Sequence, residues 1–171
     1  IAGVWKGLKD LYAIGFIDKL PRLISAQSLG CYPINRAIQN DEPWEPMEEN
    51  TIADSISVGV PRNADKALMA IRESNGIAVN VSDEEILAAQ RLLGRTCGVF
   101  GEPAGVTGAA ALKKACEEGL IPHDATVVSV VTGNGLKDVA NAIKSAGEPI
   151  HIEPDLELMV SEFKKRGVTV E

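Results

Sequence analysis

A threonine hydroxyl followed at once by Gly-Asn-Gly, in Thr132-Gly133-Asn134-Gly135, is the arrangement in this chain best suited to meet a ligand. It closes an apolar run, residues 125–131 (ATVVSVV), whose valines around the small Ser129 predict a strand covered on both faces, as in a parallel sheet. Thr132 is then a strand-end residue. In open α/β sheets ligands sit just beyond the carboxyl ends of strands, where glycines admit a close backbone approach and the free N–H groups of the next helix attract anions. A hydroxyl at that place can hydrogen-bond a cofactor. The same four residues also suit a plain tight β-to-α connection, and the sequence leaves both readings open.

Other chemistries find little support. Cys31, Cys97 and Cys116 lie far apart, with no C-x-x-C spacing and no histidine placed to complete a metal site, so all three are expected to be reduced packing residues. The charge of -7, from 17 basic and 24 acidic residues, and a longest basic cluster of only Lys164-Lys165-Arg166 speak against nucleic acid or an anionic membrane as partner. No apolar run approaches the roughly 20 residues of a membrane span, and no signal peptide opens the chain, so a cytoplasmic protein is expected. With 171 residues, 45% of them apolar, the chain suits a single α/β domain with a sizeable core.

The elements that must position the turn follow from periodicity. The chain opens at Ile1 directly in a helical pattern (Trp5, Leu8, Leu11, Tyr12) that stops at Gly15, and an element already under way implies a truncated chain. Residues 22–26 predict a strand with Gln27 at its carboxyl end, and residues 31–39 a helix. The acidic, proline-containing residues 40–50 predict an exposed loop with Trp44 tucked onto the core. Residues 51–62 read as an irregular loop with one short helical turn. A helix from Asn63 or Ala64 to Gly76, a strand over 77–81, and a helix through Leu93 begun by the capping box Ser82/Glu85 come next. A very short strand over 98–100, a helix opened by Pro103 and ended at Gly119, and the 125–131 strand lead to a helix over 136–146. An edge strand over 148–153, a helix over 155–166 and a fraying end at 168–170 complete the chain. Strand and helix thus alternate at least four times, which predicts a mainly parallel twisted sheet with helices on both faces.

Five stretches in this order resemble one family. They are Lys6-Gly7-Leu8-Lys9 with the later Gly15 to Pro21, Pro21-Arg22 before a strand ending in Gln27, Thr51-Ile52-Ala53-Asp54-Ser55-Ile56 with Gly59 and Pro61, Glu102-Pro103-Ala104-Gly105, and Thr132-Gly133-Asn134-Gly135-Leu136-Lys137-Asp138. From Trp5 to about Asp138 they are similar to the carboxyl-terminal half of threonine synthase, a fold-type-II pyridoxal-phosphate enzyme related to the tryptophan synthase β subunit. The resemblance implies the larger lobe of that fold, pyridoxal phosphate as cofactor, an amino-acid substrate, and a lyase that converts O-phosphohomoserine and water to threonine and phosphate.

The resemblance also implies site roles. In the family a hydroxyl at the position of Thr132 meets the pyridine nitrogen, and a neutral hydroxyl leaves the ring a weaker electron sink than a carboxylate would. Glu102 comes close to the cofactor ring, although an acid before a helix can equally stabilise its N-terminus by about 0.3–1 kcal/mol. Ala53 and Ser55 match the loop that lines the cofactor, with core packing as the equal alternative. The Schiff-base lysine and the phosphate cup of such an enzyme have no counterpart here, since Lys6, Lys9, Lys113, Lys114 and Lys137 have ordinary amphipathic settings that predict solvated surface charge.

Three classes of function therefore stand side by side. The chain is a fragment of threonine synthase or of a relative such as cysteate synthase or threonine dehydratase, inactive without its amino-terminal half. Alternatively it is a ligand-binding module that uses the TGNG turn for an anion, or an assembly domain. In the fragment reading, apolar surface bared by the lost lobe predicts a homo-oligomer.

Overall fold

The computed structural model describes residues 1–147 and 151–167. Among them, two parallel strands form the sheet: β1 (Ile24–Ser28) and β2 (Ile77–Val81), paired in register from Ile24 opposite Ile77 to Ser28 opposite Val81. The helices are α1 (Ala2–Ala13), α2 (Pro33–Asn40), α3 (Ala64–Glu73), α4 (Asp83–Cys97), α5 (Pro103–Glu117), α6 (Val139–Ala146) and α7 (Leu156–Lys165). Short 3-10 turns occupy Asp54–Ile56 and Gly135–Lys137.

The two faces of the sheet follow from the alternation of side chains along each strand. Ile24, Ala26, Ile77, Val79 and Val81 face one way and pack with Ile86 and Ala89 of α4 and with Val106, Ala110 and Ala111 of α5. The other face is covered by α2 through amides. Asn35 Nδ2 donates to Asn80 Oδ1 at 2.7 Å, the Asn35 amide N–H to Gln27 Oε1 at 2.8 Å, and Asn80 Nδ2 to Gln39 Oε1 at 3.2 Å. A second core joins α2 to α3 through Ile34, Ala37, Leu68 and Ile71, with Trp44 laid against it as expected. The α/β class with helices on both faces of a parallel sheet is thus observed.

Local signals mark the starts of α4 and α5, whereas the helix expected from residue 136 begins only at Val139, after the 3-10 turn Gly135–Lys137. Ser82 Oγ accepts from the Glu85 amide at 3.2 Å and Glu85 Oε2 from the Ser82 amide at 2.7 Å, the reciprocal pair of a capping box. Pro103 opens α5, where a missing N–H costs nothing.

The strand count requires correction. Residues 125–131 have no regular secondary structure and join no sheet among the described residues, and Val128 and Val130 are 85% and 68% exposed. The run lies along α5, with Ser129 against Gly108 and Val131 on the core, so only one side is covered. β-Branched residues stabilise a strand through neighbours on the ladder, and this chain supplies none to this run among the described residues. Residues 98–100 form no strand either: α4 continues to Cys97 and Gly98 ends it in a left-handed conformation, φ 68°. The predicted edge strand falls partly on residues 148–150, outside the described residues, while 151–153 are irregular. The end at 168–170 also lies outside them.

Two side-chain expectations change as well. Cys31 is buried, and burial, with the charge of Glu49 adding to it against a backbone hydrogen bond from Val58, raises its thiol pKa; Cys97 and Cys116 are exposed rather than packed. Lys114 is not a solvated surface charge, since its Nζ donates to the Asn80 carbonyl at 2.9 Å and pairs with Glu85.

Candidate functional site

The turn predicted to meet a ligand is strapped to the start of α5. Gly101 and Asn134 form an isolated antiparallel bridge, in which the Glu102 amide donates to the Gly133 carbonyl at 2.9 Å and the Gly135 amide to the Phe100 carbonyl at 2.8 Å. From beneath, the fully buried Gln90 of α4 donates through Nε2 to the Gly101 carbonyl at 2.7 Å. Asn134 Oδ1 accepts from the Leu136 amide and begins the 3-10 turn, and Asp138 Oδ1 accepts from the Asn141 amide and begins α6. Gly133, Asn134 and Gly135 are thus each hydrogen-bonded to a neighbour, while Thr132 is exposed.

Glu102 does not cap α5 with its carboxylate. Its residue is 8% exposed, and the carboxylate meets Lys137 Nζ at 3.2 Å. An added Cβ on Gly133 would overlap that carboxylate, so glycine at 133 is what allows the acid to lie over the turn. Buried charge is tolerated when paired, and Lys137 supplies the pair. The amphipathic setting of Lys137 predicts a bare surface charge, and its spacing gives no hint of Glu102.

Ala53 is fully buried and packs in the same core as Ala104, Val106 and Val131. Ser55 stands exposed on the 3-10 turn that follows, which packs against α5. The structure thus puts Thr132 one residue before Gly133, whose carbonyl accepts from the Glu102 amide, places Ala53 in the core that also holds Ala104 and Val131, and leaves Ser55 at the surface. Asp83, which no motif singled out, holds the 51–53 segment by its carboxylate. A shallow hollow lined by Trp5, Lys6, Lys9, Asn63 and Lys66 involves none of these residues.

Chemically, the arrangement offers an exposed hydroxyl one residue before the glycine that accepts from the Glu102 amide, and a buried carboxylate paired with an ammonium. That fits the nitrogen edge of a heteroaromatic ring. It does not fit the anchoring of a phosphate or a covalent link: the lysine at the turn is engaged by Glu102, and Lys114 by Asn80 and Glu85. Among the described residues no group of three histidine, cysteine or acidic side chains is placed to hold a metal, and no helix is long and apolar enough to cross a membrane.

A family model described as pyridoxal-phosphate dependent enzyme matches residues 1–133. The threonine synthase of Methanocaldococcus jannaschii is 44% identical over 163 residues, which cover 93% of this chain and 40% of that protein. The threonine synthase of Methanosarcina acetivorans is 42% identical over 159 residues, 92% of this chain and 39% of that protein. The chain therefore spans about two fifths of the length of these curated relatives. Among solved structures, Escherichia coli threonine synthase matches with a TM-score of 0.60 at 18% identity, covering 82% of this chain and 32% of that one. Maize serine racemase matches with a TM-score of 0.59 at 21% identity, covering 85% and 42%. These two likenesses carry the fold.

Proposed function

Because the chain belongs to the family of pyridoxal-phosphate-dependent enzymes, we propose that it is the carboxyl-terminal part of a threonine synthase. The complete enzyme converts O-phosphohomoserine and water to threonine and phosphate, as a cytoplasmic lyase. The observation that carries the reading is the strap between Glu102 and Gly133, which holds the turn rigid and leaves the Thr132 hydroxyl facing outward. The identity of 42–44% to proteins named threonine synthase supports the choice of substrate.

When bound, pyridoxal phosphate supplies an electron sink for carbanionic chemistry at the amino acid. This chain's part is to receive the ring. The Thr132 hydroxyl would hydrogen-bond the pyridine nitrogen and, being neutral, would not fix a proton there. Glu102 holds the neighbouring Gly133 through its amide, and its own charge is balanced by Lys137. The Ala53 to Ser55 loop would form a wall, with Ser55 at the surface and Ala53 seating the loop in the core behind it. The lysine that carries the cofactor and the cup for its phosphate belong to the remainder of the enzyme, so this chain alone is inactive.

The remainder also has a place to dock. Ile14 and Phe16 after α1 are 75% and 76% exposed, and Val128 and Val130 present an uncovered apolar edge. Large apolar residues so exposed mark contact surfaces when they are contiguous. A homo-oligomer of the complete enzyme is part of the same proposal. The test is to express the complete enzyme with pyridoxal phosphate and assay O-phosphohomoserine. Threonine and phosphate released in equal amounts support the reading. Deamination or racemisation of serine or threonine, with O-phosphohomoserine untouched, overturns the substrate assignment.

A further inference from the structure

Asp83 is the first residue of α4, where an acid ordinarily serves the helix N-terminus. Here that terminus is already served by the Ser82/Glu85 capping box. The Asp83 carboxylate is directed elsewhere. Its Oδ1 accepts from Thr51 Oγ1 at 2.6 Å and from Ser28 Oγ at 3.2 Å, and its Oδ2 accepts from the Ile52 amide at 3.0 Å. Ser28 is the last residue of β1 and pairs with Val81, the last residue of β2. One carboxylate thus joins the carboxyl ends of the sheet to the 51–53 segment.

The connection reaches the predicted cofactor wall in one more step. Thr51 Oγ1, while donating to Asp83, accepts from the Ala53 amide at 3.2 Å. The entry to the loop is seated independently: the Asn50 amide donates to the Gly30 carbonyl at 3.0 Å, and a Cβ on Gly30 would overlap the Asn50 carbonyl. We infer that Asp83 is a positioning residue, which sets the height of the Ala53–Ser55 wall above the strand ends through the Thr51 hydroxyl. The inference rests on the reading that this loop lines the cofactor.

The test compares Thr51→Val, which keeps shape and loses the hydroxyl, with Thr51→Ser, which keeps the hydroxyl, in the complete enzyme. Three quantities are read: amide hydrogen exchange over residues 51–56 without cofactor, pyridoxal phosphate affinity by fluorescence, and kcat and KM separately. Thr51→Val is expected to speed exchange and to weaken cofactor binding about tenfold each, the scale of one lost hydrogen bond to a charged group, and Thr51→Ser to restore both. Exchange unchanged in Thr51→Val overturns the clamp. Faster exchange with cofactor affinity, kcat and KM all unchanged overturns the positioning role. A wild-type enzyme that binds no pyridoxal phosphate overturns the functional reading, and the exchange data then still decide the clamp.

Discussion

The Glu102 amide donates to the Gly133 carbonyl at 2.9 Å, and the Glu102 side chain fills the space that a side chain on Gly133 would need. The two residues are 31 positions apart in sequence and belong to different predicted motifs, EPAG and TGNG. Their contact turns two weak signals into one rigid junction.

Gly133→Ala should therefore push the Glu102 carboxylate away from Lys137. The expected cost is about 1–3 kcal/mol in denaturant unfolding, in the range of overpacking. In a Glu102→Ala background the same change should cost far less, because the space is vacant. Additive effects in this double-mutant cycle would contradict the contact.

Thr132→Ala, in the complete enzyme, should leave the fold intact, since the side chain is exposed. It should remove a hydrogen bond worth about 0.5–1.5 kcal/mol and weaken cofactor binding or turnover accordingly. Unchanged affinity and rate would leave TGNG as only a connection.

The Trp5 indole N–H donates to Glu73 Oε2 at 2.6 Å, and Lys9 Nζ donates to the same oxygen at 2.9 Å. The indole bond first, and Lys9 second, hold the Glu73 carboxyl below the ordinary range. A depressed folded pKa contributes stability that is present above the unfolded value, about 4.3, and is lost as pH falls through the folded one. Melting temperature should thus fall less steeply between about pH 5 and 3 for Trp5→Phe than for the unaltered protein. Parallel curves would show that the α1–α3 contact is not linked to Glu73.

Much of this architecture was legible because its causes are local. Ser82/Glu85, Pro103 and the periodic runs carry their own start signals, and β1, β2 and the helices fall within a few residues of expectation. The run at 125–131 was misread for a tertiary reason: its valines suit a buried strand, but a strand also needs ladder partners, which its own segment cannot reveal. The site was legible as motifs and not as contacts. Thr132 and Glu102 were marked by glycine and proline neighbours, whereas Asp83, Gln90 and Lys137 act across the fold and look like ordinary helical residues in sequence.

The uncovered Val128, Val130, Ile14 and Phe16 give a prediction about association. This chain alone should self-associate in light scattering, increasingly with concentration, because exposed apolar surface associates. A clean monomer over a broad concentration range would count against bared contact surface.

On the proposed reading, this chain supplies the ring side of a pyridoxal-phosphate site whose lysine lies elsewhere in the enzyme. A lysine that carries the cofactor must be held against its aldehyde with its pKa lowered by burial or a neighbouring cation. Here Lys137 is held instead by the Glu102 carboxylate. The most direct measurement is borohydride reduction of this chain with pyridoxal phosphate, followed by peptide mapping. Diffuse, substoichiometric labelling of several lysines, with no threonine formed from O-phosphohomoserine, is the predicted result. Stoichiometric labelling of a single lysine in this chain, Lys137 for example, would contradict the claim and give the chain a cofactor site of its own.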